Sequence, residues 1–331
     1  MQSASKCSNL AGMSSIASNA EKLNYHLQQL LSDEKRIVIN GASGWLGSNI
    51  TETLSQIYGS NLSEYVLLTA SSSKSLRLRN NAEIEVHKWN KRQVMKFAPT
   101  HVLQLAFKTR DHVKKLSLND YSRLNMEIIE SANWMITLPS VKGFMHTSSG
   151  AVCGPSTHSL EIDPYGYLKS IEELEFARTC ADFDTNYLGV RVWSTSGAYI
   201  KTGGLLAIES LITQALTGNS IKIESDCRTY RTYVDANEFL VASLIGLLKG
   251  KTGLYNSGGD EIEIGALASV ISNLTSGSYH QIIRPEFSSE MENRFCSQNP
   301  SIEDVLLELD LKFSSIPSQV VQTMEYIKEV S

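Results

Sequence analysis

The feature that most constrains the fold of this chain is a short apolar run that leads directly into three evenly spaced glycines. Residues 36–40 are rich in β-branched side chains and show no helical periodicity, which is typical of a buried strand. Gly41, Gly44 and Gly47 follow, and residues 48–54 have a helical pattern. A helix N-terminus favours a phosphate through its free N–H groups and dipole, and glycine lets the phosphate approach the backbone. The stretch therefore predicts a strand, a pyrophosphate-binding turn and a helix.

The spacing of these glycines leaves two interpretations open. It is G-x-x-G-x-x-G, whereas the general dinucleotide fingerprint is G-x-G-x-x-G. The turn either binds a dinucleotide or serves only the packing of the helix against the strand. Support for a cofactor must therefore come from the rest of the chain.

The composition argues against several classes of partner. The 331 residues carry a net charge of −5, so the basic surplus of a nucleic-acid-binding protein is missing. No apolar run reaches the roughly 18 to 20 residues that span a bilayer, and residues 1–20 do not resemble a secretory signal. We therefore expect a cytoplasmic protein without a membrane or nucleic-acid partner. Scattered cysteines without C-x-x-C pairs, and histidines without ligand spacing, predict reduced thiols and no metal site.

Strand-like and helix-like segments alternate after the glycine turn. The predicted strands are residues 65–70, 82–86, 101–106, 141–147 and 190–194, and one predicted helix covers about residues 121–134. Such alternation predicts right-handed crossovers and a parallel sheet covered by helices on both faces. The expected fold class is α/β, a Rossmann-like doubly wound parallel sheet. Its ligands are expected at the carboxyl ends of the strands.

We expect three regions along the chain. Residues 1–33 form an N-terminal extension that is flexible over residues 1–18 and contains one helix near residues 21–31, where leucines recur at helical intervals. Residues 34–190 form a dinucleotide-binding Rossmann domain. Residues 191–331 form mainly a smaller substrate-binding region that is partly interleaved with the Rossmann sheet.

The segment after the second predicted strand bears on the choice between NAD and NADP. An Asp or Glu that binds the ribose of NAD is expected there, but the chain has hydroxyls and cations instead, among them Ser71, Ser72 and Arg77. This composition suits a 2′-phosphate and predicts NADP, with NAD as the alternative. A solvated loop that contacts neither cofactor also remains open.

Tyr165 and Lys169 supply a candidate for proton-transfer chemistry. Residues four apart on one helix share a face, so the Lys169 ammonium is expected to lower the pKa of the Tyr165 phenol by stabilising its anion. Tyr165 could then give a proton to a carbonyl oxygen, or take one from an alcohol, as hydride moves. Ser149, at a strand end, would hold that oxygen. A Tyr and Lys at this spacing are common on helices, so the prediction depends on their coincidence with the glycine turn.

Together these segments resemble the extended short-chain dehydrogenase/reductase group, commonly called the NAD-dependent epimerase/dehydratase family of nucleotide-sugar enzymes. The resemblance covers about residues 35 to 310. Its motifs are the glycine turn, Gln104-Leu105-Ala106, Leu124-Asn125, residues 148–154, residues 165–169, residues 228–235 and residues 254–259. Several matches in the right order are more specific than any one of them.

The resemblance implies roles for particular residues. The implied catalytic residues are Ser149, Tyr165, Lys169 and Asn125, where Asn125 supports the proton path. Arg228 would bind the diphosphate of a nucleotide-sugar substrate, alongside Ser149 at the reacting sugar. The implied cofactor-binding residues are Gly41, Ser43, Gly44, Trp45, Leu46, Gly47, Ser71, Ser72, Arg77, Leu105, Ala106, Tyr165 and Lys169. A homodimer is the usual assembly of such proteins.

The chain departs from the family pattern near the catalytic residues. Cys153 stands where Tyr is usual, Leu168 where Ser or Thr is usual, and the loop between Ser149 and Tyr165 is short. Gly150 and Ala151 replace the Asp and Glu of sugar 4,6-dehydratases, so an acid that expels a hydroxyl is missing and dehydration is disfavoured.

The expected function is therefore NADP(H)-dependent reduction of a keto-sugar attached to a nucleoside diphosphate. Two alternatives remain. One is a nucleotide-sugar epimerase with tightly bound NAD. The other is a cofactor-binding relative without catalysis, which the substitutions at Cys153 and Leu168 make conceivable.

Overall fold

The computed structural model describes residues 19–32, 34–154, 159–203, 206–218, 220–275, 280–286 and 288–331. The predicted flexible segment, residues 1–18, lies outside them. The strands are β1 (Ile37–Asn40), β2 (Val66–Ala70), β3 (Lys74–Arg77), β4 (Glu83–Lys88), β5 (His101–Gln104), β6 (Gly143–Ser149), β7 (Asn186–Val192), β8 (Ser194–Ser196), β9 (Ile221–Lys222), β10 (Cys227–Asp235), β11 (Gly253–Asn256), β12 (Asp260–Glu263), β13 (Ile282–Ile283) and β14 (Ser288–Phe295). The α-helices are α1 (Asn19–Leu30), α2 (Trp45–Tyr58), α3 (Leu62–Tyr65), α4 (Lys91–Phe97), α5 (Arg110–Val113), α6 (Leu118–Ile136), α7 (Pro164–Asp182), α8 (Ala207–Leu216), α9 (Ala236–Leu248), α10 (Ile264–Leu274), α11 (Glu303–Leu307) and α12 (Ile316–Val330).

The main sheet has eight strands in the order β11-β7-β6-β5-β1-β2-β4-β3. All neighbouring strands are parallel except β3, which is antiparallel to β4 at the edge. The carboxyl ends of the parallel strands lie at one edge of the sheet and bring Asn40, Ala70, Gln104 and Ser149 to that edge. This architecture confirms the predicted Rossmann-like parallel sheet.

One part of the predicted loop at residues 71–79 proved to be a strand. Leu76 pairs with Ile84 of β4 and packs against the apolar core, while Lys74 and Arg77 are exposed. One apolar residue among exposed polar and charged neighbours is the pattern of an edge strand with one solvated face. The segment has too few residues for its pattern of apolar and polar side chains to distinguish a strand from a loop.

Apolar side chains cover both faces of the main sheet. One face packs on α2 and α9, with fully buried side chains such as Ile50 and Phe239, and α1 adds Leu23 and Leu27 to the same cluster. The opposite face packs on α6 and α7, where Phe144 of β6 meets Phe176 at a ring-centroid distance of 4.9 Å. The predicted N-terminal helix is therefore part of the core.

The C-terminal part of the chain has a core of its own. β10 lies between β12 and β14 and also pairs with β8, which follows β7 directly in the chain. Apolar side chains of α8, α10 and α12 form a separate buried cluster next to this small sheet. Of the helices in the described part of the chain, none combines the length and the apolar character that crossing a membrane requires.

Candidate active site

The three glycines of the turn after β1 differ in how much space a side chain would have. Gly41 has φ +91°, and a Cβ atom there would lie 2.6 Å from the backbone nitrogen of Ala106. A Cβ atom at Gly47 would lie 2.2 Å from the carbonyl oxygen of Gly41, so only glycine lets α2 pack on the turn. Gly44 precedes α2 and is exposed, and a Cβ atom there would meet only the Gly41 carbonyl oxygen, at 3.3 Å. Backbone atoms therefore pack tightly against Gly41 and Gly47, whereas the turn is open to solvent at Gly44.

The start of α2 is tied to the chain that follows β8. The indole Nε1 of Trp45 donates a hydrogen bond to the carbonyl oxygen of Ala198 at 2.8 Å, and Asn49 Nδ2 donates to the same oxygen at 2.9 Å. Leu46 packs against the main core, and Ser43 is half-buried in the turn. Trp45 thus positions the glycine turn against the chain after β8.

Buried polar side chains at the ends of three neighbouring strands hold the turn in place. Asn40 Nδ2 donates to Gln104 Oε1 at 2.8 Å, and the hydroxyl of Thr69 donates to Asn40 Oδ1 at 3.1 Å. Gln104 Nε2 in turn donates to the carbonyl oxygen of Ala106 at 2.9 Å, which orients the segment Leu105-Ala106. The sequence analysis missed this network, although polar residues at the ends of apolar strands are a visible signal of it.

The proposed catalytic side chains come from β6 and α7. Asp163 caps α7 by accepting a hydrogen bond from the Gly166 N–H at 3.0 Å, so Tyr165 and Lys169 lie one turn apart on a single helix, as predicted. Ser149 is the last residue of β6, is 7% exposed, and its Oγ accepts from the Ala151 N–H at 3.2 Å. The Lys169 ammonium donates to the Thr147 carbonyl oxygen at 2.7 Å, which joins α7 to the end of β6.

Lys169 is paired with a carboxylate that the sequence analysis did not assign. Its Nζ lies 2.6 Å from Oε2 of Glu172, and both side chains are buried. Burial acts to raise the pKa of Glu172, but the charge of Lys169 and the neighbouring His146 ring, whose Nδ1 is 3.7 Å from Oε2, outweigh it, so the pKa is lowered. Glu172 is therefore ionised at neutral pH and offsets the Lys169 charge. Its position three residues after Lys169 was the available signal.

Phe107 follows Ala106 in the chain and contacts both Lys169 and Tyr165. Its ring centroid is 3.9 Å from the Lys169 ammonium and 5.8 Å from the ring of Tyr165, which it meets edge-on. Arg110 also contacts Tyr165, with its guanidinium carbon 5.3 Å from the ring centroid, and forms an ion pair of 3.2 Å with Asp163. Neither Phe107 nor Arg110 was a sequence-based candidate.

Asn125 is buried and holds the backbone beside Phe107. Its Oδ1 accepts from the Lys108 N–H at 2.8 Å, and its Nδ2 donates to the carbonyl oxygens of Tyr121 at 3.2 Å and Lys108 at 3.4 Å. The Tyr121 hydroxyl donates to the same Lys108 oxygen at 2.7 Å. These bonds make Asn125 a positioning residue for the loop after β5, and its role in a proton path stays a prediction.

Gly150 lies against the ring of Trp193. A Cβ atom at Gly150 would be 2.4 Å from Cε3 of that ring. The ring is held by a 2.8 Å hydrogen bond from its Nε1 to Oδ1 of Asn256 and by Phe295 of β14 at a centroid distance of 4.7 Å. The residue that follows Ser149 therefore has no room for a side chain.

The remaining sequence-based candidates lie in more exposed places. Ser71 and Ser72 follow β2 and are exposed, as is Arg77 on β3, which donates to Oδ1 of Asn81 through Nε at 3.2 Å and Nη2 at 2.7 Å. Arg228 is exposed on β10 and is paired in register with Glu292 of β14. Ala106 therefore lies next to Gly41 of the turn, and the following residue, Phe107, contacts both Tyr165 and Lys169. Lys169 also binds the backbone of Thr147, two residues before Ser149, while Arg77 and Arg228 are exposed on β3 and β10.

The sequence profile of the NAD dependent epimerase/dehydratase family matches residues 37–258. A comparison with curated protein sequences gave no significant match. Among solved structures, the chain is similar to a UDP-N-acetylglucosamine 4-epimerase from Methanobrevibacter ruminantium M1 in complex with UDP-N-acetylmuramic acid. The TM-score is 0.70 at 18% identity, with 90% of this chain and 99% of the other covered.

Two further solved structures carry NAD. A dTDP-glucose 4,6-dehydratase from Bacillus anthracis str. Ames in complex with NAD has a TM-score of 0.68 at 15% identity, covering 89% of this chain and 97% of the other. A UDP-glucuronic acid 4-epimerase from Bacillus cereus in complex with NAD has a TM-score of 0.65 at 14% identity, covering 89% and 99%. At such identities these structures show the fold, whereas the profile covers most of the chain. The chain therefore belongs to the NAD-dependent epimerase/dehydratase family, and it is an enzyme of the extended short-chain dehydrogenase/reductase type.

Proposed function

We propose that the protein is an NADP(H)-dependent oxidoreductase that reduces a keto-sugar of a nucleoside-diphosphate sugar. The observation that carries the proposal is the occurrence of Tyr165 and Lys169 one turn apart on α7, with Lys169 bonded to the Thr147 backbone two residues before the end of β6. The glycine turn fits a dinucleotide because it is open at Gly44, where a pyrophosphate would meet the N-terminus of α2. The nicotinamide would supply the hydride.

Ser149 and Tyr165 would both interact with the carbonyl oxygen of the substrate. Ser149 would donate a hydrogen bond to the carbonyl oxygen, and Tyr165 would deliver a proton to it as the hydride reaches the carbonyl carbon. The products would be an alcohol, the oxidised cofactor and a Tyr165 anion that is reprotonated from solvent. Arg228 would bind the diphosphate through its planar guanidinium.

NADP is favoured over NAD by the residues after β2. Ser71 and Ser72 are exposed there, Lys74 and Arg77 follow on β3, and an acidic residue that would repel a 2′-phosphate is missing from residues 71–79. Gly150 and the Trp193 ring support reduction over dehydration, since an acidic side chain cannot stand directly after Ser149. The NAD bound to two of the similar structures supports the second candidate, a nucleotide-sugar epimerase that retains NAD.

A ligand panel separates the two candidates. A ligand that binds only the folded state raises the apparent unfolding temperature as its concentration exceeds the dissociation constant. We expect NADP(H) to raise it more than NAD(H), and nucleotide sugars to raise it further in the presence of NADP(H). Consumption of NADPH with a nucleoside-diphosphate keto-sugar then tests the reaction. NAD that stays bound through gel filtration, without net cofactor consumption, would support the epimerase instead.

A homodimer and a cytoplasmic location also belong to this proposal. Sedimentation equilibrium would test the homodimer, and fractionation of the source cells would test the cytoplasmic location. Both follow from the family resemblance and from the composition.

A further inference from the structure

We propose that Phe107 competes with the cofactor for Lys169, so that its ring must rotate away before Lys169 can bind a nicotinamide ribose. The inference rests on the proposed function, because it takes Lys169 as a ligand of the cofactor. It assigns to Phe107 a positioning role that neither the family match nor the similar structures name.

Lys169 Nζ has three N–H groups and no acceptor. Two of its directions end at oxygens, Oε2 of Glu172 at 2.6 Å and the Thr147 carbonyl at 2.7 Å. A third is covered by the Phe107 ring, whose centroid lies 3.9 Å from Nζ, well within the range of a cation–π contact. Lys169 is only 4% exposed as a result, so an incoming hydroxyl must displace one of these three groups.

Of the three groups, Phe107 is the one that can yield. Glu172 is ionised and buried, and breaking its pair with Lys169 would leave an uncompensated buried carboxylate. Thr147 O belongs to the backbone of β6, which is paired on both sides. Phe107 is half-buried, and the attraction between its ring and the ammonium is weaker than that of the buried ion pair.

The backbone on both sides of Phe107 is held, which confines the motion to the side chain. Before it, the Leu105 N–H donates to the Asn40 carbonyl oxygen at 2.8 Å and the Ala106 carbonyl accepts from Gln104 at 2.9 Å. After it, Asn125 and Tyr121 bind the Lys108 backbone. Phe107 therefore moves by rotation about its side-chain bonds.

The position of the ring connects both parts of the site. Ala106 touches Gly41 of the turn, while Phe107 touches Lys169 and Tyr165. A dinucleotide that reaches from the turn to Tyr165 must pass over the residue between them. Phe107 thus covers the segment of the site that the nicotinamide half of the cofactor would use, and leaves the glycine turn open.

The test measures dissociation constants for NADPH, NADH and ADP by calorimetry on the full chain. We expect Phe107→Ala to tighten NADPH binding about tenfold and to leave ADP binding unchanged, because ADP reaches only the turn. Phe107→Leu keeps the bulk without the ring charge distribution and should tighten NADPH binding by roughly threefold. Phe183→Ala, at a half-exposed phenylalanine after α7, is the matched control and should change neither constant.

A double-mutant cycle ties the effect to Lys169. In the Lys169→Ala background, Phe107→Ala should give no tightening, since the group for which ring and ribose compete is gone. Weaker or unchanged NADPH binding by Phe107→Ala overturns the proposal, as does the same tightening without Lys169. If wild type and Phe107→Ala bind NADPH equally and turn over substrate, only this inference fails. If neither binds any dinucleotide, the proposed function fails with it.

Discussion

The carboxylate of Glu172 lies 2.6 Å from the ammonium of Lys169, one turn further along α7, and both side chains are almost completely buried. The positive charge assigned to the activation of Tyr165 thus has a partner of opposite charge. The electrostatic field at Tyr165 depends on the pair and not on Lys169 alone. Glu172 is therefore a positioning residue for the proposed chemistry.

Glu172→Gln is expected to lower the free energy of unfolding by about 3 kcal/mol, because the buried Lys169 ammonium loses its counter-charge. Urea denaturation measures this loss.

Glu172→Asp should restore part of the lost stability, because it returns the charge. Glu127→Gln is a control at an exposed pair on α6, whose partner Arg123 is 2.8 Å away. If Glu172→Gln were as stable as the wild type, the importance of the buried pair would be contradicted.

Tyr165→Phe is expected to reduce turnover by about 10²- to 10⁴-fold, because the group that delivers the proton is removed. NADPH binding and the unfolding temperature should change little, since the ring and its contact with Phe107 remain. Steady-state kinetics and thermal denaturation measure this. Tyr167→Phe, two residues along the same helix, is the matched control, and equal losses in both variants would sink the assignment.

Gly150→Ala is expected to destabilise the protein by about 1 to 3 kcal/mol, because its Cβ would lie 2.4 Å from the Trp193 ring. Trp193→Leu in the same chain should relieve the clash, so the double variant should be more stable than the sum of the two single changes. Urea denaturation of the three variants gives the coupling free energy. Strict additivity would show that the ring and the glycine do not contact each other.

Gly47→Ala is expected to lower the free energy of unfolding by about 2 kcal/mol or more, and to weaken NADPH binding. The added Cβ would be 2.2 Å from the Gly41 carbonyl oxygen, which is backbone and can move only with the turn. Gly44→Ala is the control, since its Cβ would be 3.3 Å from that oxygen, and its loss of stability should stay below about 1 kcal/mol. Equal losses of stability in Gly47→Ala and Gly44→Ala would contradict the packing explanation.

The buried carboxyl of Asp235 is expected to make the folded protein less stable as the pH rises. Burial, and then the charge of Glu238, raise the pKa of this carboxyl to about 7 in the folded protein, against 3.8 for a free aspartate side chain. Because the folded pKa is the higher one, its contribution is fully present below about pH 4 and is lost as the pH rises through 7. Up to about 4 kcal/mol is involved, as an upper bound.

Asp235→Asn isolates this contribution. Asn also accepts the hydrogen bonds that cap α9, from the N–H groups of Asn237 at 2.9 Å and Glu238 at 3.1 Å. The variant should therefore gain stability relative to wild type between pH 4 and pH 7, as measured by urea denaturation at several pH values. A pH-independent difference would contradict the raised pKa.

The motifs along the chain were enough to predict much of the fold and part of the site. The glycine turn, the alternation of strands and helices and the pairing of Tyr165 with Lys169 on one helix depend on residues close in sequence. Such local signals are readable because backbone geometry sets the periodicity of each element. The edge strand β3 was missed because four residues with one apolar side chain carry too little of that signal.

The sequence by itself thus determined the fold class, the family and the side chains of the proposed chemistry. Only the tertiary structure decided what those side chains face: Glu172 and Phe107 at Lys169, Trp193 at Gly150, and the Lys108 backbone at Asn125. The physical reason is that burial and contact between distant segments select each partner. Tyr165 lies four residues before Lys169 and Glu172 lies three residues after it, and the packing of α7 on β6 decides which of them pairs with the ammonium.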